Sequence, residues 1–355
     1  MKELDYGLLY VSDYITEHNH RREKPSMDTN PAIYNGEGQE NIHLGTLGIG
    51  AETTVSLVQS QITGERLAQR EARMLSRVYR AADGQLYTAE TRPASSNLVP
   101  SLPSTRLVSQ PPYEISIAQS LQHIQGIAKL HSWITNISQV HQCKESEIHD
   151  SGYKLYAREV SLWKSYNLGD LRAVIDSPGP LPEYWIARLL TSMIDTLVQM
   201  HESGVAHMDT HSGNWLLECG GEDTKIVLTD FGKARRLEDH PPGPFYTWCV
   251  DDYGNLFEII SLLLRIDAED LYDEDVTMSE CLDNSATASS KSCSESLLSL
   301  VRAFRDYISD HALGVKDHER FFAGMQLFCV AFKKHVECLD SAPWPISPVE
   351  CPIPT

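Results

Sequence analysis

The most regular hydrophobic pattern in the chain lies between Pro182 and Met200. Ile186, Leu189, Leu190, Met193, Leu197 and Met200 recur there at helical spacing, and Pro182 suits a first helical position. A second buried helix is predicted from near Asp251, carrying Leu256, Ile259, Ile260 and Leu263, and residues 297–336 are helical in pattern again. Glu114 to Leu130 also has helical texture, with Ile115, Ala118 and Leu121 spaced along one face. From Leu44 to Arg70 the pattern differs: glycines, then β-branched and apolar residues, then a Thr63-Gly64 turn and Leu67-Ala68. That order predicts a glycine-rich hairpin followed by a further strand.

Polar stretches divide these elements. Residues 1–43 read as an extension with little structure of its own. The Ser- and Pro-rich residues 81–112 read as an inserted loop, and the acidic, Ser-rich stretch of about 267–296 as a loose surface insertion. Residues 341–355 form a proline-rich tail. The elements then fall into a small sheet-based part, 44–160, and a larger helical part, 161–340.

Composition narrows the function classes. Apolar residues make up 41% of the chain, enough for a core, and the longest apolar run, Phe257 to Leu264, is too short to cross a bilayer. The N-terminal residues lack the basic-then-apolar order of a secretion signal, and the eight cysteines are scattered without metal spacing. Reduced thiols and a cytoplasmic or nuclear location are the expectation, with no membrane association. A net charge of -19 argues against nucleic acid as a partner and favours a basic protein or peptide.

Two segments carry chemistry. In the first, His207, Asp209 and Asn214 lie within the stretch Val205 to Leu217. In the second, Asp230-Phe231-Gly232 follows the apolar stretch from Ile226 to Leu228. A loop presenting an Asp, and five residues later an Asn, can place a base beside a hydroxyl and an amide oxygen on a metal. A second Asp after an apolar strand can hold the same metal against triphosphate oxygens. Phosphoryl transfer needs that arrangement, because its catalysis is mainly positioning and charge neutralisation.

Together the two segments resemble the protein-kinase family, and the resemblance extends over roughly residues 44–335. It implies an α+β, two-lobed kinase-like fold, with a β-rich N-lobe, an α-helical C-lobe and ATP between them. It further implies that Asp209 accepts the proton of a substrate hydroxyl and that Asn214 and Asp230 bind Mg²⁺. Leu47, Gly48, Gly50 and Val55 resemble the family's glycine-rich loop, with Thr53 at its third glycine position. Leu47, Val55 and Ala68 would then enclose the adenine ring. Glu114 matches the regulatory-helix glutamate that pairs with an ATP-anchoring lysine, and Leu155 to Glu159 followed by Gly169-Asp170-Leu171 resembles the hinge.

Three departures stand out. Arg70 occupies the anchoring lysine's place, and a planar guanidinium does not imitate a compact ammonium. Met208 replaces an arginine that many members use to sense a phosphorylated activation segment. Residues 233–250 are short and lack an Ala-Pro-Glu signature. The reading is a divergent Ser/Thr protein kinase using ATP and Mg²⁺ on a protein substrate. Two others stay open: a pseudokinase acting as a binding or scaffolding module, and a small-molecule kinase, which the histidine at 211 favours.

Overall fold

The computed structural model describes residues 33–34, 40–49, 53–73, 76–80, 84–91, 103–140, 154–220, 223–240, 242–266, 294–312, 318–342 and 344–345. Its fold is two-lobed and α+β, of the protein-kinase kind, with a mostly antiparallel sheet in the N-terminal half and helices in the C-terminal half.

The N-terminal sheet is built from β1 (Ile33–Tyr34), β2 (Glu40–Ile49), β3 (Thr53–Ser60), β4 (Arg66–Ala72), β5 (Ser76–Arg80), β6 (Leu86–Thr91), β7 (Pro103–Leu107), β8 (Leu130–Val140) and β9 (Lys154–Lys164). The β3–β4 hairpin closes at the expected Thr63-Gly64 turn. Gly64 takes a φ of 69°, which glycine adopts without a Cβ penalty, and the Ser60 hydroxyl accepts from the amides of Ile62 and Thr63 at 3.3 Å. Strand β9 is the spine of the sheet. It pairs with β4 and β5 along one edge and with β8 along the other.

Two differences from the sequence reading concern this half. The segment expected as an inserted loop contains two strands, β6 and β7, which pair from Tyr87↔Leu107 to Thr91↔Pro103. Pro103 sits at the first position of its strand, where a missing N–H is tolerated. The helical patterning from Glu114 is also overextended. Helix α1 covers only Tyr113–Ser120, and turns carry the chain from Leu121 to β8 while Leu121, Ile124 and Ile127 still reach the core. The other expected loose segment, about 267–296, lies outside the described residues except for its last positions, as does most of the tail.

The C-terminal half is organised by α3 (Glu183–Glu202), which follows the short α2 (Leu171–Ile175). Pro182 falls one residue earlier than expected, at the N-cap rather than inside the helix. The face carrying Ile186, Leu189, Leu190, Met193, Leu197 and Met200 is fully buried, as the pattern requires. Full burial of each such side chain contributes about 1.5–3 kcal/mol. Helices α4 (Pro242–Leu264) and α6 (His318–Glu337) pack against it, and α5 (Glu295–Ala312) packs against those two. Helix α4 starts nine residues before the expected Asp251. Its extra first turns bury Phe245, Trp248 and Cys249, and Pro242 is compatible with a helix start. Two hairpin-like pairs, β10 (Val205–Ala206) with β13 (Arg235–Arg236) and β11 (Trp215–Gly220) with β12 (Asp223–Leu228), hold the loops that matter for chemistry.

Candidate active site between the lobes

The loop from His207 to Asn214 is fixed by one buried carboxylate. Asp252, fully buried in α4, accepts from the backbone amides of His207 (2.7 Å) and Met208 (2.8 Å) and bonds His201 Nε2 at 2.9 Å. Its own carbonyl accepts from the Thr210 hydroxyl at 3.1 Å. Met208 takes a φ of 66°, a left-handed conformation uncommon for a non-glycine residue, and the paired amide bonds to Asp252 hold it there. Burial pushes the His207 imidazole below its usual pKa, against the opposing influence of Asp252. Its Nε2 meets the Thr229 carbonyl at 3.0 Å, and its ring lies edge-on to Phe231.

This scaffold holds Asp209, whose side chain is one-fifth exposed. The Asn214 side-chain Nδ2 donates to the Asp209 carbonyl at 2.8 Å, leaving the amide oxygen at its other end. The Thr229 amide donates to the Asn214 carbonyl at 2.9 Å, which ties this loop to the turn carrying Asp230. Asp230 has a φ of 63°, and the buried Phe231 locks the turn into the core. A Cβ at Gly232 would lie 3.4 Å from Asp230 Oδ1 and 4.0 Å from Glu114 Oε2, ordinary contact distances that place this residue beside both carboxylates.

From the other side, β4 brings Ala68 and Arg70 on one face of the sheet, with Val55 opposite Arg70 and Gly48 opposite Val55. Leu47 is nearly half exposed on the neighbouring strand. Gly50 lies outside the described residues. Arg70 pairs with Glu114 through Nη1, and its Nη2 stands 3.4 Å from Asp230 Oδ1. One guanidinium thus bridges both lobes, as its planar fork permits. Contacts thus join Arg70, Glu114 and Asp230 on one side and Asp209 and Asn214 on the other, while Leu47, Gly48, Val55 and Ala68 lie on the strands that carry or flank Arg70.

The hinge assignment needs correction. Residues 155–159 lie inside strand β9, and the chain leaves the sheet only after Lys164. The crossing segment is Ser165 to Asp170, with Gly169 at a φ of 75° and Asp170 capping α2 by accepting from the Ala173 amide at 3.0 Å. At the end of β9, Trp163 lies opposite Ala68, almost fully buried, with its indole N–H donating to Ser161 at 2.8 Å.

Several contributors are not apparent from sequence pattern. Lys233 Nζ donates to Asp209 Oδ1 at 2.9 Å, and His211 Nε2 stands 3.9 Å from the other oxygen. The only sequence hint for Lys233 is its place directly after the Asp-Phe-Gly turn. Asp252 is not singled out in sequence, because Asp251 and Glu258 lie on the same helix.

The donors suit magnesium, a hard cation that favours oxygen ligands and keeps several waters and phosphates in its shell. Asp230, with an exposed carboxylate, and the fixed Asn214 amide supply such oxygens. Among the described residues no group of three or more His, Cys, Asp or Glu side chains could hold a metal alone. Nucleotide phosphates would complete the shell.

Known proteins agree with this geometry in part. No protein-family model matches the chain. The serine/threonine-protein kinase ppk31 of Schizosaccharomyces pombe is 32% identical over 74 residues, 21% of this chain and 7% of the relative. Cell division control protein 7 of the same yeast is 30% identical over 118 residues, 32% of this chain and 10% of the relative. The serine/threonine-protein kinase PkaA of Streptomyces coelicolor is 39% identical over 72 residues, covering 20% and 13%. The matches therefore span about a tenth of those relatives' lengths. Fold and these partial similarities together support a protein kinase-like domain. Among the described residues no helix is long and apolar enough to cross a membrane.

Proposed function

We propose that this domain is a divergent protein kinase that transfers the γ-phosphoryl group of ATP to a protein hydroxyl. The observation that carries the reading is the joint placement of Asp209, Asn214 and Asp230 on loops cross-linked by hydrogen bonds, facing a cleft spanned by Arg70 and Glu114. Random sequence drift has no reason to keep all of them.

In this reading the substrate hydroxyl oxygen forms a bond to the γ-phosphorus as the bond from that phosphorus to the β-bridging oxygen breaks. The leaving electron pair stays on ADP, and the hydroxyl proton passes to Asp209. Asn214 and Asp230 would hold Mg²⁺, which neutralises phosphate charge when bound. Ala68, Val55 and Leu47 border the adenine, and Gly48 allows close backbone approach to the phosphates. Arg70 acts as a brace: by joining Glu114 and Asp230 it orients the lobes more than it neutralises phosphate.

A second reading, a kinase-like binding module without transfer, is favoured by the same bridge, because Arg70's charge is already engaged by two carboxylates.

Thermal unfolding with magnesium-ATP tests the nucleotide site. A ligand present at one hundred times its Kd stabilises the native protein by about 2.7 kcal/mol. The native protein should shift upward and an Asp230→Ala variant should not. No shift at millimolar nucleotide, from a well-folded protein, would remove the nucleotide-binding basis of the reading.

A further inference from the structure

Among the described residues, Lys233 is the lysine whose ammonium touches the proposed base. Its Nζ lies 2.9 Å from Asp209 Oδ1, while the rest of its side chain is largely exposed. Asp209 itself is one-fifth exposed, so a substrate hydroxyl reaching Oδ1 must enter the space the ammonium now occupies. The other basic group beside this carboxylate is different in kind. His211 Nδ1 accepts from the Gly213 amide at 3.1 Å, which fixes the ring and leaves Nε2 3.9 Å from Asp209 Oδ2. Arg70 is committed to Glu114 and Asp230.

Lysine has a flexible four-carbon stem and a strongly hydrated point charge, so it can exchange one anionic partner for another at little cost. Its backbone is not free to wander. Lys233 ends the turn that begins at Phe231, and the next residue, Ala234, is buried and donates to the Phe231 carbonyl at 3.1 Å. Nζ therefore reaches Asp209 Oδ1 from the end of a turn whose N-cap is Asp230. In the proposed reaction, the transferred phosphoryl lies between those carboxylates.

We propose that Lys233 is a catalytic residue that exchanges partners, capping Asp209 in the free protein and binding the γ-phosphoryl group when ATP occupies the cleft. The exchange frees Oδ1 for the substrate proton and supplies the positive charge that Arg70 cannot. This inference rests on the kinase reading of the cleft. It assigns the γ-phosphate contact to the segment after Asp230 and makes Lys233 the residue that distinguishes ATP from ADP.

The test is isothermal titration of the full chain with magnesium-ADP and with a magnesium complex of a non-hydrolysable ATP analogue, for native protein, Lys233→Met and Lys233→Arg. Thermal unfolding checks that each variant folds. Loss of one charge-assisted phosphate contact is expected to weaken the analogue about tenfold in Lys233→Met. ADP affinity should change less than about twofold, and Lys233→Arg should retain part of the preference. Equal losses for both nucleotides, or no loss for either, would overturn the assignment while leaving the cleft a nucleotide site. Failure of native protein to bind either nucleotide would instead sink the kinase reading, and this inference with it.

Discussion

The hydroxyl of Tyr113 donates to the carboxylate of Asp239 at 3.1 Å, joining helix α1 to the segment that follows Asp230. Arg236 reinforces the junction. Its Nη2 donates to the Ser116 hydroxyl at 3.0 Å, and its guanidinium lies 5.9 Å from the centre of the Tyr113 ring. Glu114 stands between these two anchored positions, so the segment holds the Arg70–Glu114 pair in place without a phosphorylated residue and without the arginine that Met208 replaces. Burial and the neighbouring Asp239 push the Tyr113 phenol up to about 12, which keeps it a donor. A double-mutant cycle of Tyr113→Phe and Asp239→Ala should give a coupling energy of about 0.5–1 kcal/mol by chemical unfolding. Strictly additive effects would show the contact to be energetically idle.

Asp252 anchors the start of the loop from His207 to Asn214. Replacing it by alanine leaves two buried amides and the His201 ring without their acceptor, and removes what stabilises the left-handed Met208. Asp252→Ala should cost about 3–5 kcal/mol in denaturant titration, in the range for removing one side of a buried charged network. A cost under about 1 kcal/mol, typical of a single exposed bond, would mean the loop is held by other contacts.

Gly126 packs directly against Thr196 of helix α3. A Cβ built there would lie 1.7 Å from Thr196 Oγ1 and 2.8 Å from its Cγ2. Gly126→Ala should therefore destabilise by about 1–3 kcal/mol, as overpacking does. Thr196→Ala in the same chain should recover part of that loss by thermal unfolding, because it removes the Oγ1 and Cγ2 contacts and leaves Cβ at 2.7 Å. Additive losses would show that the strain lies elsewhere.

Acid sensitivity follows from His207. Its folded pKa is depressed by burial, whereas in the unfolded chain it titrates near about 6.5. Below that value the unfolded chain gains a proton that the folded protein refuses, so this contribution to stability is complete above about 6.5 and falls with acidification. The slope from one group reaches at most about 1.4 kcal/mol per pH unit. Unfolding free energies measured at mildly acidic and neutral pH should show this slope, and His207→Gln, which can still donate to Thr229, should flatten it. An unchanged slope in the variant would assign the effect to other groups.

The sequence exposes what is local. Asp209, Asn214 and Asp230 are legible because the chemistry fixes their spacing within short loops, and the α3 face is legible because burial along one side of a helix leaves a periodic trace. The Arg70–Glu114 pairing follows from resemblance alone, since 44 residues separate the partners. Contacts across long separations leave no such trace: Tyr113 with Asp239, or Asp252 with the loop before Asn214. Helix α4 starts early because Phe245, Trp248 and Cys249 bury themselves in a satellite cluster with Ala206, which an isolated stretch of Pro and Gly does not announce. Strands β6 and β7 hide in a Ser- and Pro-rich stretch because pairing to a sheet edge, more than intrinsic propensity, decides them.

The most direct test of the central claim needs no knowledge of the substrate. Purified protein is incubated with magnesium and γ-labelled ATP, and both ADP release and label incorporated into the protein itself are followed, beside Asp209→Ala and Asp230→Ala. The account predicts slow turnover in native protein that both variants abolish while remaining folded. Bound nucleotide with no turnover above that of the two variants would contradict it, and would leave a kinase-like module that binds without transferring.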